Sequence, residues 1–205
     1  MDYAKLAEGA TLDKVVAALK ERNIEAVVVD TKEQALAKIK ELIPPGASVM
    51  NGSSVTLQQI GFVDYLKAGA HGWNNLHAAV LAEAEPEKQK ALRRQAILSD
   101  YYLGSVHALS EAGELVIASN SGSQLPHIVY TSPNVIFVVG TQKITPTLAE
   151  AENRLRSYVV PLEDARMKSV NMGGTKLNKL VHFFGEPTYT GRTLRMILVK
   201  EQLGY

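Results

Sequence analysis

The segment Ala47-Ser-Val-Met-Asn-Gly-Ser-Ser-Val-Thr-Leu-Gln-Gln-Ile-Gly61 sets the fold class and contains the first candidate binding site. An apolar run ends at Met50, a polar turn follows, and apolar residues then recur at near-helical spacing, which predicts a strand, a turn and a helix. Gly52 has access to backbone conformations that other residues avoid, and the two serines can cap the helix. The turn is either an anion-binding loop or an ordinary strand-to-helix connection with a serine cap. Its candidate ligand-binding residues are Asn51, Gly52, Ser53 and Ser54.

The sequence on both sides of this segment alternates between strand and helix patterns. Upstream, amphipathic helical patterns flank the β-branched run Ile24–Val29. Downstream, Leu115–Ala118 and Val135–Val139 are short apolar runs, and the second is apolar at every position, as in a strand covered on both faces. The alternation predicts an α/β fold with a mainly parallel, Rossmann-like sheet and helices on both faces.

A helix is predicted after the last of these runs, from Thr145 to Tyr158. Thr145 and the proline after it are expected to cap its start. Two pairs with i, i+4 spacing, Glu150–Arg154 and Glu152–Arg156, are interpreted as ion pairs on its outward face.

Composition limits the classes of function. The 205 residues are expected to form a single domain, residues 1–205. Lys and Arg number 22 against 21 Asp and Glu, so no electrostatic signal for nucleic acid or an anionic membrane is present. The chain has no cysteine, which excludes a thiol nucleophile and a cysteine-ligated zinc, haem or iron–sulfur cluster within it. With no apolar run long enough to span a bilayer and no signal core, we expect a cytoplasmic protein without nucleic-acid or membrane partners.

Two further polar groups follow predicted strands. The loop Ser119-Asn-Ser-Gly-Ser123 offers small donors suited to a carboxylate or phosphate, although it also serves as a plain connection. Lys143 follows Val135–Val139, and ligands of open α/β sheets bind outside the carboxyl ends of the strands. It is therefore a candidate for holding an anionic substrate, the alternative being a solvated lysine. We expect the loops after Met50 and Val139 to open onto one crevice. The candidate ligand-binding residues of these two groups are Ser119, Asn120, Gly122 and Lys143.

Glu111 is the candidate catalytic residue. It lies in the polar turn Ser110-Glu-Ala-Gly113, just ahead of an apolar strand. A carboxylate there could act as a nucleophile or general base if partial burial raises its proton affinity, and the alternative is a solvated turn residue. The five histidines lack the close spacing of a metal-binding pair, so no metal site is expected.

Several blocks of the sequence, in order over residues 31–205, resemble the LUD-domain family of lactate-utilisation proteins. The blocks are Met50–Gly61, Gly104–Gly113, Val138–Ile144, the helix segments Glu150-Ala151 and Arg154-Leu155, and Ile197–Tyr205. The resemblance implies a fold like that of ribose-phosphate isomerases, glucosamine-phosphate deaminases and CoA-transferases. In that superfamily a turn after an early strand binds phosphate, sugar phosphate or CoA, a role that would fall on residues 51–54. It also implies that Glu111 would occupy the place of the catalytic glutamate of some CoA-transferases.

The resemblance implies a component of a bacterial system that oxidises L-lactate to pyruvate beside partner subunits with iron–sulfur clusters. The absence of cysteine fits this division of labour. We expect a small anionic metabolite to bind at residues 51–54, with the Ser119–Ser123 loop and Lys143 opposite. Two alternatives stay open: a CoA-transferase-like or sugar-phosphate isomerase-like enzyme using Glu111, and a non-catalytic assembly subunit. The residues identify no cofactor, and a homo-oligomer is a further option.

Overall fold

The computed structural model describes residues 2–205, which form ten strands and eight α-helices. The strands are β1 (Ile24–Val29), β2 (Ser48–Asn51), β3 (Asn74–Asn75), β4 (Tyr101–Gly104), β5 (Ala108–Ser110), β6 (Leu115–Ser119), β7 (Asn134–Gly140), β8 (Ile144–Thr145), β9 (Lys179–Phe183) and β10 (Thr193–Val199). The helices are α1 (Gly9–Glu21), α2 (Lys32–Leu42), α3 (Val55–Gln59), α4 (Phe62–Ala68), α5 (Leu76–Ala82), α6 (Pro86–Gln95), α7 (Leu148–Arg154) and α8 (Val160–Ser169).

Six strands form a parallel sheet in the order β1-β10-β7-β4-β2-β3, which confirms the predicted fold class. The adjacent strands β7 and β10, neither of which is at an edge of the sheet, are buried on both faces because alternate apolar side chains enter two different core clusters. On β7, for example, Phe137 belongs to the cluster with α1, and Val138 belongs to the cluster with α2, α3 and α4. This explains why the run is apolar at every position.

A second sheet, which the sequence pattern did not distinguish from the first, covers part of one face. It has the order β8-β5-β6-β9, with β6 antiparallel to both neighbours. Leu115 and Ile117 of β6 pack into the same core cluster as α1. Because β6 is buried on both faces, its sequence resembles that of a parallel-sheet strand, and periodicity alone could not separate the two.

The capping residues of α3 and α7 show where two of the predicted helices begin. Ser54 caps α3, since its Oγ accepts a hydrogen bond from the Leu57 amide at 3.3 Å. The cap predicted at Thr145 is wrong: Thr147 caps α7, with its Oγ1 accepting from the Glu150 amide at 3.1 Å, and Thr145 belongs to β8. Both residues are threonines beside Pro146, and the pairing of β8 with β5 decides between them.

A buried ion pair fastens the π-helical turn His127–Thr131 to the sheet. Arg192, just ahead of β10, lies 2.8 Å from the Glu186 carboxylate, and the two side chains are only 6% and 3% exposed. The same guanidinium donates to the carbonyls of His127 at 3.0 Å and Ile128 at 2.7 Å. Arg192 therefore links the His127–Thr131 turn to the segment that contains Glu186 and Arg192 itself, two parts of the chain that are distant in sequence.

The carboxyl ends of β7, β4 and β2 are neighbours in the sheet, so the turns that follow them share one edge. The C-terminal segment crosses the same edge: the Leu203 carbonyl accepts from Gln142 Nε2 at 2.8 Å, and the Gly204 amide donates to Gln59 Oε1 at 2.6 Å. Within residues 2–205, no helix combines the length and the hydropathy needed to cross a bilayer.

Candidate functional site

Lys143 lies beyond the carboxyl end of β7, and it is buried, with 3% of its surface exposed. Its Nζ is 3.0 Å from Thr56 Oγ1, 3.1 Å from Ser105 Oγ and 3.3 Å from the Val106 carbonyl oxygen. All three partners are uncharged oxygens. The alternative of a solvated lysine is therefore excluded, and the side chain lies at the edge shared by β7, β4 and α3.

A second buried cation, Arg154, lies close to the first. Arg154 has no exposed surface, its Nη1 donates to the His107 carbonyl at 2.6 Å, and its guanidinium carbon is 5.3 Å from the centre of the Tyr158 ring. Its Nε and Nη2 have no hydrogen-bond partner among the described residues. The prediction of an outward Glu150–Arg154 pair is thus wrong, whereas Arg156 does pair with Glu152 at 2.6 Å on the surface.

Burial and mutual repulsion shift the protonation of this cluster. Burial, reinforced by the charge of Arg154, lowers the pKa of Lys143 to about 7. Burial also lowers the pKa of His107 to about 3, with smaller contributions from the two cations, so the imidazole is neutral at physiological pH. The cluster therefore places positive charge near the sheet edge and leaves the lysine able to lose its proton near neutrality.

The turn after β2 packs directly on a buried tyrosine. A Cβ atom at Gly52 would lie 2.6 Å from Tyr102 Oη, so only glycine fits here. Asn51 is 4% exposed, and its Oδ1 has no hydrogen-bond partner in the described part of the chain. Ser53 is exposed beside it. The turn thus combines a buried unpaired acceptor with an accessible hydroxyl.

The Tyr102 ring, against which Gly52 packs, also stacks on a histidine. It stacks on His127 with ring centres 4.6 Å apart, and His127 Nδ1 lies 3.0 Å from the Ser132 hydroxyl. Burial lowers the pKa of His127 to about 4 and raises that of the Tyr102 hydroxyl. Both side chains are therefore uncharged at neutral pH.

The Ser119–Ser123 loop approaches the Asn51–Ser54 turn through Gln124, the residue that follows the loop. Gln124 Oε1 lies 3.6 Å from the position of a Cβ at Gly52. Within the loop, Ser119 Oγ accepts from the Gly122 amide at 2.8 Å, and Asn120 is engaged by side chains at the start of β9. The loop is therefore adjacent to the Asn51–Ser54 turn, although several of its own polar groups are used internally.

Glu111 lies elsewhere, at the turn between β5 and β6. Its carboxylate pairs with Lys14 of α1 at 2.9 Å, and its amide donates to the Thr145 carbonyl at 2.8 Å. A surface depression of about 510 Å³ between this turn and α1 is lined also by Arg22. Glu111 and the Lys143 cluster are separated by the length of β5, since Val106 precedes that strand and Glu111 follows it.

Several residues of the cluster were missed by sequence reasoning. Ser105 had a usable signal, because it directly follows the apolar stretch Tyr101–Gly104, which forms β4, and so obeys the rule that pointed to Lys143. Thr56 and Arg154 had none. Thr56 is inside a helix, and the i, i+4 spacing of Arg154 from Glu150 favoured a surface role.

Comparison with known proteins yields a family match and a structural likeness. The family model described as LUD domain matches residues 12–196. A search of the curated proteins finds no significant match. Among solved structures, a DUF162 family protein from Deinococcus radiodurans is similar, with a TM-score of 0.54 and 12% sequence identity over 95% of this chain and 98% of that chain. At this level of identity the likeness concerns the fold.

Proposed function

Because the chain belongs to the LUD-domain family, we propose that it is a single-domain, lactate-utilisation-related protein that binds a small organic anion at the carboxyl edge of its parallel sheet. The observation that carries the proposal is the pair of buried cations, Lys143 and Arg154, whose hydrogen-bond partners in the described chain are uncharged. Removing an ammonium or guanidinium from water costs several kcal/mol, and an anionic ligand nearby offsets that cost.

A 2-hydroxy acid matches the polarity of this edge. Its carboxylate would be drawn toward the cations, and its hydroxyl could donate to an acceptor such as the buried Oδ1 of Asn51. The exposed Ser53 hydroxyl would complete the contacts. We propose that the chain acts in this way within a system that oxidises L-lactate to pyruvate, with the electrons carried by iron–sulfur partner subunits, since cysteine is absent here.

Thermal unfolding in the presence of candidate anions tests the binding proposal. L-Lactate or pyruvate at about 100 times its Kd is expected to stabilise the fold by about 2.7 kcal/mol, a rise of roughly 5 °C or more in Tm. Ser53→Ala should reduce the rise, whereas Ser169→Ala, on the exposed end of α8, should retain it in full. Absence of a shift with every hydroxy acid and oxo acid would contradict the proposal and favour an assembly subunit.

The enzyme alternative assigns the chemistry to Glu111. Its carboxylate is paired with an ammonium on α1 and lies at the far end of β5 from the two buried cations, an arrangement that favours the anion-binding proposal. A CoA-ester exchange activity that disappears in Glu111→Gln would reverse this preference. Exchange that survives the substitution would remove Glu111 from the chemistry.

A further inference from the structure

Ser105 and Lys143 meet in an arrangement that the binding proposal does not use. Ser105 directly follows β4 and is half-buried, and its Oγ lies 3.1 Å from Lys143 Nζ. Thr56 Oγ1 and the Val106 carbonyl hold the same nitrogen at 3.0 and 3.3 Å. Lys143 is thus fixed on two sides while its third neighbour is a hydroxyl at the accessible edge.

The three neighbours are oxygens that accept from the ammonium, and two acceptors are enough for the two N–H groups of the neutral amine. The Val106 carbonyl can only accept, and the Thr56 hydroxyl donates its proton toward the Leu203 carbonyl at 3.4 Å, so both take protons from the amine. In the structure the Ser105 hydroxyl accepts from Nζ at 3.1 Å and donates to the Val106 carbonyl at 3.4 Å. When the lysine is neutral, rotation of this hydroxyl turns its proton from the carbonyl to the lone pair of Nζ. A serine hydroxyl bonded to the lone pair of a buried lysine is the ground state of a serine–lysine dyad.

We propose that Ser105 is an acyl-accepting nucleophile and that Lys143 is its general base, acting on an activated acyl group, an ester or thioester of a small acid. This activity goes beyond the proposed function. Ser105 Oγ would attack the acyl carbon as its proton passes to Nζ, the bond to the leaving oxygen or sulfur would break, and the leaving group would take that proton. Water would then attack the acyl-serine ester, release the acid and restore the Ser105 hydroxyl, with its proton relayed by the amine.

The two proposals draw on different protonation states of one side chain. With the pKa of Lys143 near 7, the ammonium that favours an anion and the amine that serves as a base are both populated at neutral pH. The other titratable groups facing Lys143 are Arg154 and His107, with pKa values near 10 and 3. Neither changes charge around pH 7, so a transition there reports Lys143.

A fluorophosphonate probe, which labels activated serines, tests the dyad on the intact protein. Mass spectrometry of the labelled protein should locate the adduct on Ser105, and Ser105→Ala should abolish it while Ser169→Ala leaves it unchanged. Lys143→Met should slow labelling at least about 100-fold, and Lys143→Arg should not rescue it, because a guanidinium has no basic lone pair at this pH. Hydrolysis of p-nitrophenyl acetate and of an acetyl thioester then distinguishes the two leaving groups.

The labelling rate of the unmodified protein, measured as a function of pH, tests the dyad without any variant and so does not depend on whether the variants fold. The labelling rate should rise with pH through about 7 and then level off, because the base must be neutral. A pH-independent rate, or a folded protein in which Ser105 stays unlabelled at every pH, overturns the dyad. Stabilisation by lactate measures the binding proposal separately, so either one can fail alone.

Discussion

Lowering the pH from about 6.5 to about 4.5 is expected to cost the folded protein about 4 kcal/mol of stability, mainly through two histidines whose pKa values are lowered in the folded state. In the folded state the pKa values of His127 and His107 are about 4 and about 3, against 6.5 for a free imidazole. Between these values the unfolded chain binds protons that the folded chain does not. The contribution of the two histidines is therefore fully present above pH 6.5 and is lost as the pH drops toward their folded pKa values.

Urea unfolding at several pH values measures this loss. His127→Phe keeps an aromatic ring against Tyr102 and removes one titrating group, so the slope of the unfolding free energy against pH should fall by about half. His107→Gln should do the same. The carboxylates with lowered pKa contribute mainly at lower pH, because the unfolded value is 3.8 for Asp100 and 4.5 for Glu33 and Glu152. An unchanged slope in both variants would show that the histidines titrate normally in the folded state.

Arg192→Met is expected to destabilise the protein by about 3–5 kcal/mol, because it leaves the Glu186 carboxylate buried without its partner. The carbonyls of the His127–Thr131 turn would lose their donor in the same change. Equilibrium denaturation at neutral pH measures the effect.

Arg195→Met is the matched control. Arg195 pairs with Glu25 at 2.8 Å, but the Glu25 side chain is 65% exposed, so the loss should be below about 1 kcal/mol. The double variant Arg192→Met, Glu186→Met should recover part of the loss, since no lone charge then remains buried. Equal effects of Arg192→Met and Arg195→Met would contradict the assigned role of burial.

The fold was largely predictable because its signals are local. The β-branched run of β1, the uniformly apolar run of β7 and the serine cap of α3 each follow from short patterns, and all lie where they were expected. The division into two sheets was not predictable in this way. Whether β6 pairs with β5 and β9 or enters the large sheet depends on contacts between segments far apart in sequence, which a local pattern does not encode.

The sequence predicted a residue of the candidate site only where that residue directly follows a strand of the sheet. Lys143 follows from the rule that ligands meet the carboxyl ends of parallel strands. The surroundings of Lys143 do not follow from this rule. Thr56 contacts Lys143 from α3, and Arg154 of α7 acts on it through its charge, and the direction in which each helix turns these side chains depends on packing. The burial of Arg154 reverses the role suggested by its spacing from Glu150.

The strand order has a consequence for how the molecule is made. β10 lies between β1 and β7, and Glu25 of β1 is 170 residues ahead of Arg195 of β10, so β1 finds its partner only after a long further stretch of polypeptide has been synthesised. Until then β1 is an unpaired apolar edge, which is a template for aggregation. Such long-range pairing slows folding, and we expect the nascent chain to depend on chaperones.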